Sequence, residues 1–248
     1  VSGIVKDVKP SICFDFVKAF LKGNNLESKH IAIGIDLLPS SLSIAKACIA
    51  AINVHGCEVV YCGELPTPAL AFYAMSNKMP CIMITGSHIP FSRNGMKFYN
   101  TDGEISKLDE TNIMSAEVEL PENSDEIVSG IQTPIVSPAA LQAYRQRYTQ
   151  LFSVDMLKGK RIGIYEHSSV ARDVLKDLIS YFGADVVSLE RTDYFVPIDT
   201  EAVSEIDKEK AKDWAKKYKL DAIISTDGDG DRPLISDENG QWLRGDVL

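Results

Sequence analysis

The sequence predicts an α/β protein with two similar three-layer α/β domains, each with a mixed, mostly parallel sheet. Helical and strand patterns alternate along both halves of the chain. Several strands are continuous apolar runs, which is typical of strands buried on both faces of a parallel sheet. We place the domain boundary between residues 153 and 154, so that the domains are 1–153 and 154–248.

The first half begins with apolar residues at helical spacing from Pro10 to Leu21, and Gly23 suits the end of that helix. Three apolar strands follow, HIAIGIDLL, CEVVYCG and CIMIT, with two helices between them. This β-α-β-α-β order is typical of a doubly wound sheet. After an acidic, polar stretch at 105–132, SPAALQAYRQRYTQLF predicts the helix that closes the half.

The second half repeats this alternation without a repeat at the level of residues. It predicts the strands RIGIYE, ADVVSL and AIIST, separated by the helices VARDVLKDLISYF and EIDKEKAKDWAKKYK. ENGQWLRGD near the end is a hairpin signal. Ser168 and Ser169 precede the first of these helices, and we predict that they cap it rather than bind phosphate.

The composition, with 45% hydrophobic and 25% charged residues, is that of an ordinary globular protein. A net charge of −9 argues against a nucleic-acid-binding surface, although a local basic cleft could still bind an anionic small molecule. No apolar run approaches the ~18 residues of a membrane span, and no secretory signal is present. We therefore predict neither a nucleic-acid nor a membrane partner; the sequence indicates no oligomeric state.

The five cysteines are odd in number and include no CxxC pair. Buried, reduced thiols in a cytoplasmic protein are the simplest interpretation. The chain begins at Val1 rather than at methionine, and we expect it to be a piece of a longer polypeptide.

Three aspartates alternate with glycines directly after the strand AIIST, at Asp227, Asp229 and Asp231. Glycine lets the backbone curl until the three carboxylates can share one hard cation, such as Mg²⁺ or Ca²⁺. An EF-hand is excluded because Arg232 stands where that loop needs glycine and Pro233 follows. The remaining alternative is an acidic turn between strands, and we favour metal binding over it.

A second polar stretch, GSHIPFSRNGMKFY, follows the strand CIMIT and contains Ser87, His88 and Lys97. The carboxyl end of a strand in an open α/β sheet is the usual place for a site. Each residue alone has an ordinary explanation, as a turn serine, a structural histidine or a surface lysine. The G-x-S-x-G motif of α/β-hydrolases is absent. A hydroxyl close to a divalent cation, a lysine and Arg232 instead suits phosphoryl transfer.

TGSHIP followed by NGMK resembles the phosphoserine loop of the α-D-phosphohexomutases, T-[AG]-S-H-N-P with a downstream N-G-x-K. DGDGDR resembles the metal loop of that family. The two motifs occur in the expected order, roughly 140 residues apart, and the resemblance spans essentially the whole chain as the first two of four domains. NGMK and RGD are most similar to the branch of bacterial phosphomannomutases and phosphomannomutase/phosphoglucomutases.

The resemblance implies a role for each matched residue. Ser87 would carry the phosphoryl group, and its phosphate would complete the shell of a Mg²⁺ ion held by the three aspartates. Lys97 would handle the proton of the sugar hydroxyl, Arg232 would steady the phosphoryl charge, and His88 would support the phosphoserine. The reaction would interconvert hexose 6-phosphate and hexose 1-phosphate through hexose 1,6-bisphosphate, which also activates the enzyme.

Within the family we favour a phosphomannomutase acting on a phosphohexose. The alternatives are a phosphoglucomutase, a phosphoglucosamine mutase or a phosphosugar phosphatase. Val5 stands where the family has an arginine, and Ile89 stands where it has an asparagine. These departures motivate a non-enzyme alternative, a degenerate phosphosugar-binding module. Because the sugar-selecting loop and the C-terminal phosphate-binding domain of the family are absent, we expect little activity from these residues alone.

Overall fold

The computed structural model describes residues 2–4, 10–23, 28–87, 93–119, 121 and 123–243, with only the main chain described at 2–4 and 10. Within this part the chain forms two compact units. The first contains residues up to 86 and from 93 to 140, and the second contains Ser87 and the residues from 141 onwards. Three residues that the sequence singled out, Val5, His88 and Ile89, lie outside the described residues.

The first unit is built on a mixed sheet with the strand order β1-β5-β4-β2-β3, and β6 pairs with β5. β2 runs parallel to both β3 and β4, whereas β5 is antiparallel to its neighbours. The strands are β1 (Ser2–Ile4), β2 (His30–Ile35), β3 (Glu58–Glu64), β4 (Cys81–Ile84), β5 (Arg93–Asn100) and β6 (Gly103–Glu104). The helices are α1 (Pro10–Gly23), α2 (Ser41–Val54), α3 (Thr67–Ser76), α4 (Lys107–Ser115) and α5 (Ser124–Ser129).

Helices cover both faces of β2. Ile31, Ile33 and Ile35 pack with α1 and α2 in one apolar cluster. Gly34 points to the opposite face, because successive strand residues alternate. A Cβ atom at Gly34 would lie 3.1 Å from a side-chain carbon of Leu70, so α3 packs against this second face. The buried parallel strands therefore lie between two helical layers.

The second unit has a mixed sheet with the order β11-β10-β9-β7-β8. β7 is parallel to β8 and β9, and β10 and β11 continue the sheet antiparallel. The strands are β7 (Arg161–His167), β8 (Asp185–Arg191), β9 (Ala222–Thr226), β10 (Pro233–Ser236) and β11 (Trp242–Leu243). The helices are α6 (Ala139–Thr149), whose residues from 141 belong here, α7 (Arg172–Tyr181) and α8 (Glu205–Tyr218).

The predicted fold class is confirmed, since each unit is a mixed sheet with helices. The predicted hairpin is the β10–β11 pair. The polar stretch after CIMIT contains a strand that the sequence did not predict, because its second part forms β5. Most of α6 groups with the second unit, whereas we assigned that helix to the first domain; the boundary at 153/154 stays a prediction.

All five cysteines are free thiols, and four of them are buried. Burial raises the pKa of both Cys13 and Cys62 to about 12, so these thiols stay protonated at neutral pH. Within the described ranges, every helix is too short or too polar to cross a bilayer.

Gly240 and Gly159 provide a matched pair for testing how the hairpin packs on α8. Both have a left-handed φ, +75° at Gly240 and +82° at Gly159. A Cβ atom at Gly240 would lie 2.4 Å from the main chain of Ala211 in α8, whereas nothing lies within 4 Å of one at Gly159. Gly159→Ala should therefore cost about 1–2 kcal/mol from its φ alone. Gly240→Ala should cost about 1–3 kcal/mol more, because the hairpin must move away from the helix.

Urea unfolding followed by tryptophan fluorescence measures this difference. The two tryptophans of the chain, Trp214 and Trp242, both lie in the second unit and report on its unfolding. Equal losses of stability in the two variants would contradict the packing described for Gly240.

Candidate functional site

The three aspartates lie in the tight loop that joins β9 to β10. The loop closes on itself because the Asp227 N–H donates to the Arg232 carbonyl (3.1 Å) and the Gly230 N–H donates to the Asp227 carbonyl (3.3 Å). Gly230 has a φ of +75°, which glycine adopts without strain. The curled main chain brings carboxylate oxygens of Asp227, Asp229 and Asp231 within 4.8 Å of one another. Three converging carboxylates suit a hard divalent cation such as Mg²⁺ or Ca²⁺.

Ser87 lies directly against this aspartate loop. Its Oγ donates a hydrogen bond of 2.6 Å to Oδ2 of Asp227, and its residue is only 9% exposed. A Cβ atom at Gly228 would lie 2.8 Å from the Ser87 carbonyl oxygen, so the approach requires glycine there. Ser87 itself has a φ of +50°, a conformation that costs a non-glycine residue about 1–3 kcal/mol. The hydroxyl is thus held beside a carboxylate by strained, close-packed backbone.

The environment of Asp227 opposes its negative charge. Burial, the neighbouring charge of Asp229 and, less strongly, that of Asp231 raise the pKa of Asp227 to about 7. Hydrogen bonds from the Ser87 hydroxyl and the Arg232 N–H act in the other direction. A bound cation would remove the electrostatic penalty that the neutral donors leave.

The remaining candidate residues are Arg232, Lys97 and His88. The Arg232 guanidinium donates to Glu201 (3.0 Å) in a pair whose side chains are 39% and 77% exposed. Such an exposed pair contributes about 0–1 kcal/mol, so Arg232 can exchange it for another anion. Lys97 is half-buried on β5, paired with Met83 of β4. His88 is outside the described residues.

Asp36, a buried carboxylate at the carboxyl end of β2, was missed in the sequence. Its Oδ1 accepts from the Leu38 N–H (3.0 Å) and the Ser41 hydroxyl (2.5 Å), and its Oδ2 accepts from the Gly86 N–H (3.0 Å). Burial raises the pKa of Asp36, and these donors partly offset that effect. Asp36 therefore fixes the main chain at Gly86, directly before Ser87. The sequence did offer one signal for this residue: an aspartate stands directly after an apolar strand.

Asn94 of the NGMK motif is also structural. It is fully buried, and its Nδ2 donates to the hydroxyls of Ser40 and Ser41 (2.8 and 2.9 Å). Its Oδ1 accepts from the N–H of Gly95 (2.8 Å). The asparagine thus joins the start of β5 to the loop before α2.

The prediction that Ser168 and Ser169 cap the next helix is wrong. The N-cap of α7 is Ala171, and no side chain caps it. The Ser168 hydroxyl instead bonds to the main chain of Val196, and that of Ser169 bonds to Thr226, directly before the aspartate loop.

Comparisons with known proteins point to one family. Residues 1–123 match the sequence profile of phosphoglucomutase/phosphomannomutase, alpha/beta/alpha domain I. The chain is 53% identical to a phosphomannomutase of Salmonella muenchen, over 99% of this chain and 51% of that protein. It is 46% identical to a phosphomannomutase of Sinorhizobium fredii, over 99% of this chain and 53% of that protein. The chain therefore spans about half the length of these relatives.

The fold has a counterpart among solved structures. A phosphoglucomutase/phosphomannomutase family protein from Burkholderia thailandensis superimposes with a TM-score of 0.77. The match covers 98% of this chain and 54% of that chain, at 19% sequence identity. This likeness supports the fold.

Removing the charge of Asp227 should stabilise the metal-free chain. Its pKa is about 7 in the folded chain and 3.8 ordinarily, so the folded state binds the proton more tightly. Wild-type stability therefore falls as the pH rises from 3.8 to about 7. Asp227→Asn carries no such charge, and in EDTA above pH 7 it should be more stable by on the order of 4 kcal/mol. The gain should vanish as the pH falls towards 3.8.

Urea unfolding of both proteins across this pH range measures the difference. Asp231→Asn is the comparison variant and should gain less, because Asp231 is exposed and its charge raises the pKa of Asp227 less strongly than burial and Asp229 do. A wild-type chain as stable as Asp227→Asn in EDTA above neutral pH would contradict the electrostatic penalty.

Proposed function

Because the chain belongs to the α-D-phosphohexomutases, the family of phosphoglucomutases and phosphomannomutases, we propose that it interconverts hexose 6-phosphate and hexose 1-phosphate. The observation that carries this proposal is the 2.6 Å hydrogen bond from the Ser87 hydroxyl to Asp227 of the aspartate cluster. A serine beside a cation site is suited to carry a phosphoryl group, because transfer depends mainly on positioning and on neutralising charge.

We assign the cation site to Asp227, Asp229 and Asp231, whose converging carboxylates fit Mg²⁺. When bound, the ion would neutralise charge on the phosphoryl oxygens. Arg232 would exchange its exposed partner Glu201 for phosphoryl oxygens. For His88 we keep the prediction that it lies beside the phosphoserine and supports it.

The proposed reaction consists of two phosphoryl transfers. In the first, the bond between phosphorus and Ser87 Oγ breaks, and a bond from phosphorus to the free hydroxyl of the hexose monophosphate forms. The proton of that hydroxyl passes to the neutral amine of Lys97, and the released Ser87 Oγ stays unprotonated until the second transfer. After the resulting bisphosphate reorients, its other phosphoryl group moves to Ser87 Oγ, and the released sugar oxygen takes the proton back.

Mannose phosphates are the proposed substrates, because the two relatives at 53% and 46% identity are both phosphomannomutases. The alternative substrates are glucose phosphate and glucosamine phosphate. Comparing the rates of phosphoryl transfer from Ser87 to the mannose, glucose and glucosamine monophosphates distinguishes the three possibilities. A phosphatase would release inorganic phosphate from each. A binding module would leave Ser87 unmodified.

The free thiols support the predicted cytoplasmic location.

We expect little steady-state turnover from these 248 residues, because they span about half the length of their relatives. Single phosphoryl transfers to and from Ser87 therefore test the proposed function more directly than steady-state turnover does.

Incubation with mannose or glucose 1,6-bisphosphate and Mg²⁺ should attach one phosphoryl group to the chain. Intact-mass spectrometry detects the addition, and fragment spectra assign it to Ser87. Ser87→Ala should remain unmodified, and chelating the metal should prevent the reaction. Ser92→Ala, which removes another serine of the same motif region, should be modified as wild type. A chain that never accepts phosphate, or accepts it equally as Ser87→Ala, would refute the proposed role.

Lys97→Gln should slow the transfer from phosphorylated Ser87 to mannose 1-phosphate by roughly 10²–10⁴-fold, the usual contribution of a positioned acid or base. Rapid quenching and intact mass give the rate of this half-reaction. Lys107→Gln is the control, because that exposed lysine on α4 pairs with Glu110. Equal rates in the Lys97 and Lys107 variants would exclude Lys97 as the proton carrier.

A further inference from the structure

A directed chain of hydrogen bonds runs from the loop after β7 to the aspartate loop. The Ala171 N–H donates to Ser169 Oγ (3.1 Å), which lies 2.7 Å from Thr226 Oγ1. Thr226 Oγ1 donates to the carbonyl of Asp227 (2.9 Å). A hydroxyl has only one proton, and that of Thr226 is used on Asp227, so Ser169 must be the donor to Thr226. All three bonds point in one direction, an arrangement in which each strengthens the next.

Two further bonds join the end of β7 and the loop after it to the end of β9 and the aspartate loop. Nε2 of His167, which is fully buried, lies 2.9 Å from the Thr226 carbonyl, and because a carbonyl only accepts, this nitrogen carries the proton. The Val170 N–H donates to the Gly228 carbonyl (3.0 Å). Three consecutive carbonyls, at 226, 227 and 228, thus accept bonds that originate at the end of β7 and in the loop after it, the middle one through the Thr226 hydroxyl.

This bracing acts on the part of the chain where the carboxylates repel each other. Asp227 and Asp229 are fully buried, and without a cation their charges favour opening of the loop. Fixed carbonyls hold the peptide planes on both sides of Asp227, and they therefore limit where its carboxylate can point. A site held in its binding geometry needs less reorganisation when the ion arrives.

We infer that Ser169 is a positioning residue for the cation site and acts through Thr226. The inference rests on the proposed function, because it needs the aspartate loop to bind a divalent cation. Ser169 contributes no ligand itself: its hydroxyl is committed to Thr226 and Ala171. Its effect is on affinity for the ion, through the orientation of the Asp227 main chain.

Ser168 is a matched control for Ser169. The two serines are adjacent and almost equally buried, at 3% and 1% exposure. Ser168 Oγ accepts from the Val196 N–H (2.8 Å) and donates to the Val196 carbonyl (3.3 Å). Its hydroxyl therefore fixes a different loop, and its loss removes a buried hydrogen-bonding group of the same kind without breaking the chain to Asp227.

The test is titration calorimetry of the 248-residue chain with Mg²⁺, repeated with Mn²⁺. Ser169→Ala and Thr226→Val should weaken binding by roughly 10-fold or more, as is usual when a group that orients a ligand is removed. Thr226→Ser keeps the hydroxyl and should bind as wild type, and so should Ser168→Ala. Thermal unfolding in EDTA records the stability of each variant separately from its affinity.

Each outcome has a distinct meaning. If the wild type binds neither ion, the proposed cation site is wrong and the inference falls with it. If the wild type binds and Ser169→Ala binds equally well, only the inference is overturned. Equal weakening in Ser168→Ala would also overturn it, because the effect would then follow general loss of stability. Should Ser169→Ala fail to fold, the contrast between Thr226→Val and Thr226→Ser decides, and equal affinities there would overturn the inference.

Discussion

The carboxylate of Asp227 is fully buried, and carboxylate oxygens of Asp229 and Asp231 lie within 4.8 Å of it, so the metal-free fold bears an electrostatic cost at this point. Both oxygens of Asp227 accept a hydrogen bond, one from the Ser87 hydroxyl and one from the Arg232 N–H. These neutral donors offset only part of the cost, since the pKa still rises to about 7. A positive charge supplied by a ligand at this point would offset the rest of the cost.

The sequence of the aspartate loop follows from that crowding. Position 228 must be glycine because the Ser87 carbonyl occupies the space of a Cβ atom, and position 230 has a left-handed φ that favours glycine. The positions between the glycines are left for acids, which the curl of the chain turns toward one another. Alternation of aspartate and glycine is therefore the simplest way to bring three carboxylates together in so short a loop.

The sequence predicted what depends on local pattern. The buried parallel strands are visible as apolar runs, and the aspartate loop is visible because its residues are adjacent. β5 was missed because its Asn-Gly pair reads as a turn, and its pairing with β4 is a tertiary contact. The contacts of Asp36 with Gly86, of Asn94 with Ser41 and of Ser169 with Thr226 were missed because the partners lie about fifty residues or more apart along the chain. No periodicity reports a hydrogen bond at that separation.

The proximity of Ser87 to the aspartate loop was suggested by the chemistry of the two polar stretches that follow strands, and two family motifs in the right order made the expectation specific. Their roles in the proposed reaction remain predictions, because proximity alone does not establish transfer.

Two residues with a strained, left-handed main chain, Ser87 and His167, contact the end of β9 and the aspartate loop. Among the described residues, five other than glycine have a positive φ, and two of them, Ser87 and His167, bond to Asp227 and Thr226. Lys219, by contrast, is the left-handed C-cap of α8, an ordinary place for such a conformation. A strained residue persists only when its surroundings over-determine it. Ser87 directs its hydroxyl at Asp227 and His167 directs its ring at the adjacent Thr226, which is the pattern expected if the strain serves the geometry of the aspartate loop.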